Sequence, residues 1–247
     1  MRYFIEISYS GKNYHGWQIQ PDAISVQEVL ERVLSTLLRN DIKVMGAGRT
    51  DTGVHAKQLF AHFDSDVIED IQDLEFRLNS FLPKDISVNN LFRVTHEAHA
   101  RFDAIAREYQ YVISLAKDPF QEDFAYYIHQ KPNIELMNQA ASLLLSYRDF
   151  QCFSRSNTDV KTYYCTVQVA VWEQIESQLT FTIIADRFLR NMVRAIVGTL
   201  LDVGNEKISL QEFRNIIESK DRTKAGASAP AHGLYLTKVV YPETIKM

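Results

Sequence analysis

The order in which two kinds of apolar periodicity follow one another constrains this chain more than any single motif. Tyr3, Ile5, Ile7 and Tyr9 alternate with the two-residue period of a strand. Ser25-Val-Gln-Glu28 then reads as a capping box ahead of Val26, Val29, Leu30, Val33, Leu34, Leu37 and Leu38, spaced to line one face of a helix. A short strand at Ile42–Met45, a strand at Gln58–Phe63, a helix at Asp70–Phe81 and a strand at Ile86–Val94 complete a β-α-β-β-α-β order. Helices patterned on one face must cover a sheet patterned on one face, so an α+β unit is expected.

The second half repeats that order with longer elements. It reads as a strand at Glu108–Leu115, a helix at Ile134–Leu145 behind Asn133, and a hairpin of Tyr163–Ile175 with Leu179–Ile184. A helix at Phe188–Leu201, another starting at the capped Ser209-Leu-Gln-Glu212 and a closing strand at Leu234–Tyr241 follow. The expected fold is α+β: two ferredoxin-like or RRM-like halves, residues 1–100 and 101–247, whose sheets form a central mixed, mainly antiparallel sheet with a cleft between the halves. No Pro/Gly/Ser-rich linker separates them; the join falls between Val94 and Arg107. RNA-binding modules share this strand order, but a fold alone licenses no function.

Composition narrows the functional classes. Hydrophobic residues at 46% and charged residues at 23% are ordinary for a folded soluble protein. Cys152 and Cys165 are too few and too far apart for a disulfide framework or a CxxC site, so a reducing, cytoplasmic location is expected. No run of eighteen apolar residues and no basic-then-apolar start suggests a membrane or export. The net charge of -4 is unevenly spread: Asp64, Asp66, Glu69, Asp70, Asp73 and Glu75 follow one another without a base, while Arg187, Arg190 and Arg194 share one apolar segment. An acidic outer face with a local basic patch is compatible with RNA binding.

The polar loop Gly46-Ala-Gly-Arg-Thr-Asp-Thr-Gly-Val-His-Ala56 lies between two strands, where catalytic side chains are often presented. Taken alone, Asp51 in such a glycine-rich stretch reads first as a turn residue. The glycines do not give GxGxxG, and no Gly-Lys-Ser/Thr follows, which disfavours nucleotide triphosphate binding. His55 and His62 sit seven apart and His96 and His99 three apart, without paired cysteines or HExxH, so no metal is expected. There is no Gly-x-Ser-x-Gly elbow, and neither cysteine has an obviously basic setting. Carboxylate chemistry remains, with Arg49 two residues from Asp51 favouring its charged form.

Three further segments have both structural and functional readings. In Asn13-Tyr-His-Gly-Trp-Gln-Ile-Gln-Pro21, Tyr14 and Trp17 either fold over the core or stack on bases. Tyr109 and Tyr111 alternate on a strand and so share a face, for which core packing is the default. Arg190 and Arg194 have the i, i+4 spacing of one helical face, and exposed ion pairing is the default there.

Together with Arg107-Glu-Tyr-Gln-Tyr111, Phe188-Leu-Arg-Asn-Met-Val-Arg194 and Ala225-Gly-Ala-Ser-Ala-Pro-Ala-His-Gly-Leu234, these segments closely resemble the tRNA pseudouridine synthase A family over nearly the whole chain. The Gly-Arg-Thr-Asp-Thr-Gly-Val-His-Ala string is the specific part; Arg-x-Tyr-x-Tyr and Ala-Pro-Ala-x-Gly-Leu would mean little alone. The resemblance implies the pseudouridine synthase fold and a cofactor-free isomerase acting on uridines 38, 39 and 40 of the tRNA anticodon stem-loop. It further implies that Asp51 is the essential carboxylate, that Arg49 and Arg194 line its pocket, that Tyr109 packs against the target base, and that the protein is a homodimer with composite clefts. His15, Trp17, Gln18, His55, Arg187 and Arg190 are the expected RNA contacts beside Tyr109, with Lys12, Lys43 and Arg101 as further phosphate candidates. Two other classes fit parts of the pattern: a non-catalytic RNA-binding module, and an Asp-dependent nucleoside hydrolase.

Overall fold

The computed structural model describes residues 1–155 and 161–245. The chain is α+β and groups into two units: Met1–Ile105 together with the chain from Tyr235 onward, and Ala106–Leu234. The division expected near residue 100 thus falls a few residues later, and the closing strand belongs with the first unit. Among the described residues no helix is long and apolar enough to cross a membrane.

In the first unit β1 (Arg2–Tyr9) lies between β3 (His55–Asp64) and β4 (Ile86–Val94), antiparallel to both. The short β2 (Met45–Gly46) pairs antiparallel with β3. The strand β9 (Leu234–Val240) pairs with β3 in parallel, placing His55 opposite Tyr235 and Ala56 opposite Leu236. α1 (Val26–Leu38) starts where the Ser25 hydroxyl accepts from the Glu28 amide at 3.3 Å and buries Val26, Val29, Leu30, Val33 and Leu34. α2 (Ile71–Phe81) is capped in the same way by Asp70 at 2.8 Å. Phe4, Phe60, Phe92 and Tyr241 form an aromatic cluster with centroid separations of 5.3 to 6.3 Å, in which the buried Phe4 and Phe60 each stabilise the unit by roughly 1.5–3 kcal/mol.

The strand expected at Ile42–Met45 is mostly absent, for a definable reason. Buried Glu31 of α1 accepts the Val44 amide at 3.0 Å, and the Ser35 hydroxyl accepts the Ile42 amide at 2.9 Å. Side chains of the helix take the backbone donors that a neighbouring strand would otherwise need.

In the second unit β8 (Gln178–Ala185) lies between β5 (Ala106–Ser114) and β7 (Val167–Ile175), antiparallel to both, and β6 (Tyr126–Tyr127) runs parallel to β5. α3 (Ile134–Leu143), α4 (Met192–Gly204) and α5 (Leu210–Ser219) complete it, α5 with a full capping box between Ser209 and Glu212. The strand expected from Tyr163 begins only at Val167. Upstream, the Phe150 amide donates to Tyr163 and the Cys165 amide to Arg148, which commits that backbone to another partner. Both cysteines are buried and free, and burial pushes their thiols up to about 12.

Candidate active site

The loop carrying Asp51 leaves β2 at Gly46 and re-enters the sheet at His55, so both ends are anchored by β3. Between them the Val54 amide donates to the Asp51 carbonyl at 3.1 Å, closing a tight turn with Asp51 half-buried and Arg49 exposed. A second turn, residues 10–17, braces it. The Trp17 amide donates to the Thr50 carbonyl at 3.3 Å, the Gly53 amide to the Tyr14 carbonyl at 3.3 Å, and the Tyr9 and Thr50 hydroxyls meet at 2.9 Å.

Close approach dictates the glycine at 16, where φ is +84° and a Cβ would stand 2.2 Å from the Thr50 carbonyl oxygen. At Gly46 a Cβ would strike the Trp17 indole at 2.5 Å. The bracing turn is itself tied down by Asp85, whose carboxylate accepts the Tyr14 hydroxyl at 2.6 Å and the Asn13 amide at 3.0 Å. Burial, and then the bond to Asp85, raise the Tyr14 phenol above its ordinary value, so it keeps the proton it donates.

His55 is 2% exposed and Trp17 3%. The His55 Nδ1 accepts the Gly11 amide at 3.0 Å, which requires that nitrogen to be bare, and its ring stacks on Tyr235 with centroids 4.7 Å apart. Both residues, expected to touch RNA, are enclosed, His55 against Gly11 and Tyr235 and Trp17 close to Gly46. His15 and Gln18 are exposed on the bracing turn. A groove of about 640 Å³ beside α1, lined by residues including Arg32, Arg39 and Lys43, shares no residue with this loop.

In the second unit Tyr109 and Tyr111 sit on β5 opposite Ile183 and Phe181 of β8. Tyr111 is wholly buried, its hydroxyl donating to the Pro230 carbonyl at 2.8 Å, and burial raises its phenol. Tyr109 is only half-buried and meets Phe188 edge to face at 5.1 Å. Arg107 donates to the Asp186 carbonyl at 2.9 Å, and the Asp186 carboxylate accepts the Thr166 and Arg187 amides at 2.7 Å each.

The helix expected from Phe188 starts only at Met192, because Asn191 takes a left-handed conformation with φ 64°. Arg190 therefore precedes the helix and Arg194 lies within it, so they do not share one helical face. Arg194 is half-buried, its Nε donating to the Ala229 carbonyl at 2.7 Å, while Arg190 and the half-buried Arg187 lie on the preceding turn. The first unit thus gathers Arg49, Asp51, His15, Trp17, Gln18 and His55. The second gathers Tyr109, Arg187, Arg190 and Arg194.

Comparison with known proteins adds the decisive observation. The family model described as tRNA pseudouridine synthase matches residues 140–242. The chain is 53% identical to the tRNA pseudouridine synthase A of Bacteroides thetaiotaomicron, covering 99% of this chain and 92% of that protein. It is 51% identical to that of Parabacteroides distasonis, covering 99% and 97%, and 40% identical to that of Bacillus licheniformis, covering 98% and 99%. The chain belongs to the tRNA pseudouridine synthase A family.

Membership makes it an isomerase. Forming pseudouridine breaks a glycosidic bond and remakes it at carbon. Among the described residues no group of three or more His, Cys, Asp or Glu side chains could hold a metal ion. The sequence analysis singled out Tyr14 but not its partner Asp85, which no local pattern ties to residue 14 or 51.

Proposed function

We propose that this chain isomerises uridine to pseudouridine at positions 38, 39 and 40 of the tRNA anticodon stem-loop, with Asp51 as its essential carboxylate. What supports the reading is a half-buried Asp51 on a turn braced from two sides, in a chain that aligns end to end with proteins named tRNA pseudouridine synthase A. The N1–C1′ bond breaks, the uracil turns, a C5–C1′ bond forms, the C5 proton leaves and N1 takes one. Asp51 serves by adding to C1′ or by removing the C2′ proton to leave a glycal. Atoms balance without oxidant, reductant or cofactor.

Reaching the ribose requires the nucleotide to leave its stack, at roughly a few kcal/mol. Arg49, exposed beside Asp51, fills the vacated space or holds a phosphate, Tyr109 packs on the base and Arg194 lines its pocket. Arg187, Arg190, His15 and Gln18 contact the RNA backbone. The working form is a cytoplasmic homodimer. In the test, tRNA tritiated at uridine C5 is incubated with the protein alone. Tritium release is expected, falling by at least about 10³-fold in Asp51→Asn. Release that persists in Asp51→Asn would refute the assignment, and mapping that finds modification only outside the anticodon arm would refute the specificity.

A further inference from the structure

Arg194 is bonded to a loop that a second arginine holds. Its Nε donates to the Ala229 carbonyl at 2.7 Å, and the Ala229 amide donates back to the Arg194 carbonyl at 3.0 Å. The 225–230 segment therefore helps to place the guanidinium. That segment lies directly on α4: a Cβ at Gly198 would fall 1.8 Å from the Ala227 carbonyl oxygen, and the Gly226 amide donates to the Thr199 hydroxyl at 3.0 Å.

Arg222 grips the same segment from its other side. Nη1 donates to the Ala225 and Gly226 carbonyls at 3.3 and 3.1 Å, and Nη2 to the Ser228 hydroxyl at 3.0 Å. Ser228 also accepts from the Asn191 side chain at 2.6 Å, the residue whose left-handed backbone starts α4. One planar fork thus spans three acceptors within four residues of chain, a geometry that a lysine ammonium does not reproduce.

Building on the proposed role of Arg194, we infer that Arg222 is a positioning residue for the isomerisation, acting through Ser228 and Ala229 on the Arg194 guanidinium. Misplacement of a working group by about 1 Å lowers rates on the order of 10²-fold. Arg222→Ala and Arg222→Lys therefore slow single-turnover tritium release by about 10- to 100-fold, with the tRNA concentration for half-maximal rate changed less than about threefold.

A double-mutant cycle with Arg194→Ala separates this from simple loosening of the fold. If Arg222 works through Arg194, Arg222→Ala adds little once Arg194→Ala is present. Should Arg222→Ala not fold, Arg222→Lys and Ser228→Ala enter the same cycle. Equal penalties with and without Arg194→Ala, or near wild-type rates in every variant, overturn the inference. Full activity in Arg194→Ala alone overturns it together with the Arg194 assignment, whereas the Asp51→Asn control judges the reaction independently.

Discussion

Thr50 and Asp51 are held mainly by backbone pressed against backbone, with glycine at 16 because nothing larger fits and buried His55 and Trp17 sealing the two turns. Arg194 is held by polar reach: its own Nε on a carbonyl, and a second arginine gripping that carbonyl's loop. The first arrangement resists displacement by steric exclusion, which is stiff and short-ranged. The second shares such a contact where the 225–230 segment presses on Gly198, and adds side-chain hydrogen bonds worth about 0.5–1.5 kcal/mol each, so more of its hold is polar.

The largest test of this contrast is Gly16→Ala. A side chain there combines a left-handed backbone with a 2.2 Å collision, and the expected cost is about 2–3 kcal/mol, read as a lower urea midpoint at constant slope, with activity falling alongside. A wild-type midpoint in that variant would break the comparison. Next comes acid. His62 is lowered to about 4, first by burial and then by Arg2, while its Nδ1 accepts the Ala100 amide at 3.1 Å; the neighbouring His99 is lowered too, chiefly by burial. A depressed folded value means the unfolded chain takes the proton first. Stability is thus full above pH 6.5 and drains as the pH falls towards 4, with amide exchange quickening in the first unit before the second. His62→Gln should flatten that decline, and an unchanged pH profile would remove this histidine from the account. The smallest effect is Arg190→Ala: an exposed cation is lost, and the slope of log affinity for tRNA against log salt falls by about 1.

The same contrast explains what the sequence revealed. Strand β4 was legible to the residue because its alternation and flanking turn agree, and α5 because its capping box is local. The turn at Asp51 was legible in its glycine-rich string, where the residue reads locally as a turn residue. The break before α4 was not: Phe188 to Arg194 has helical spacing, and only Asn191's positive φ, supported by Ser228 from far along the chain, stops the helix short. The lost strand at Ile42–Met45 has a similar origin, since a glutamate on α1 carries no mark saying it will accept a strand's amide. Where polar partners are distant in sequence, periodicity has nothing to report. Trp17 and His55 illustrate the other limit, because a motif names residues without saying whether they face a ligand or the inside of the loop.

The parallel pairing of β9 with β3 also sets a timetable. Val239 donates to the Gln58 side chain across 181 positions, and Tyr235 stacks on His55 at the very foot of the Asp51 loop. On a ribosome, residues 46–56 emerge long before those partners exist, so the turn is born without one of its supports. Non-local pairing of this kind forms slowly and late. A nascent synthase therefore carries Asp51 on an unfinished loop and acquires a finished one only as β9 docks.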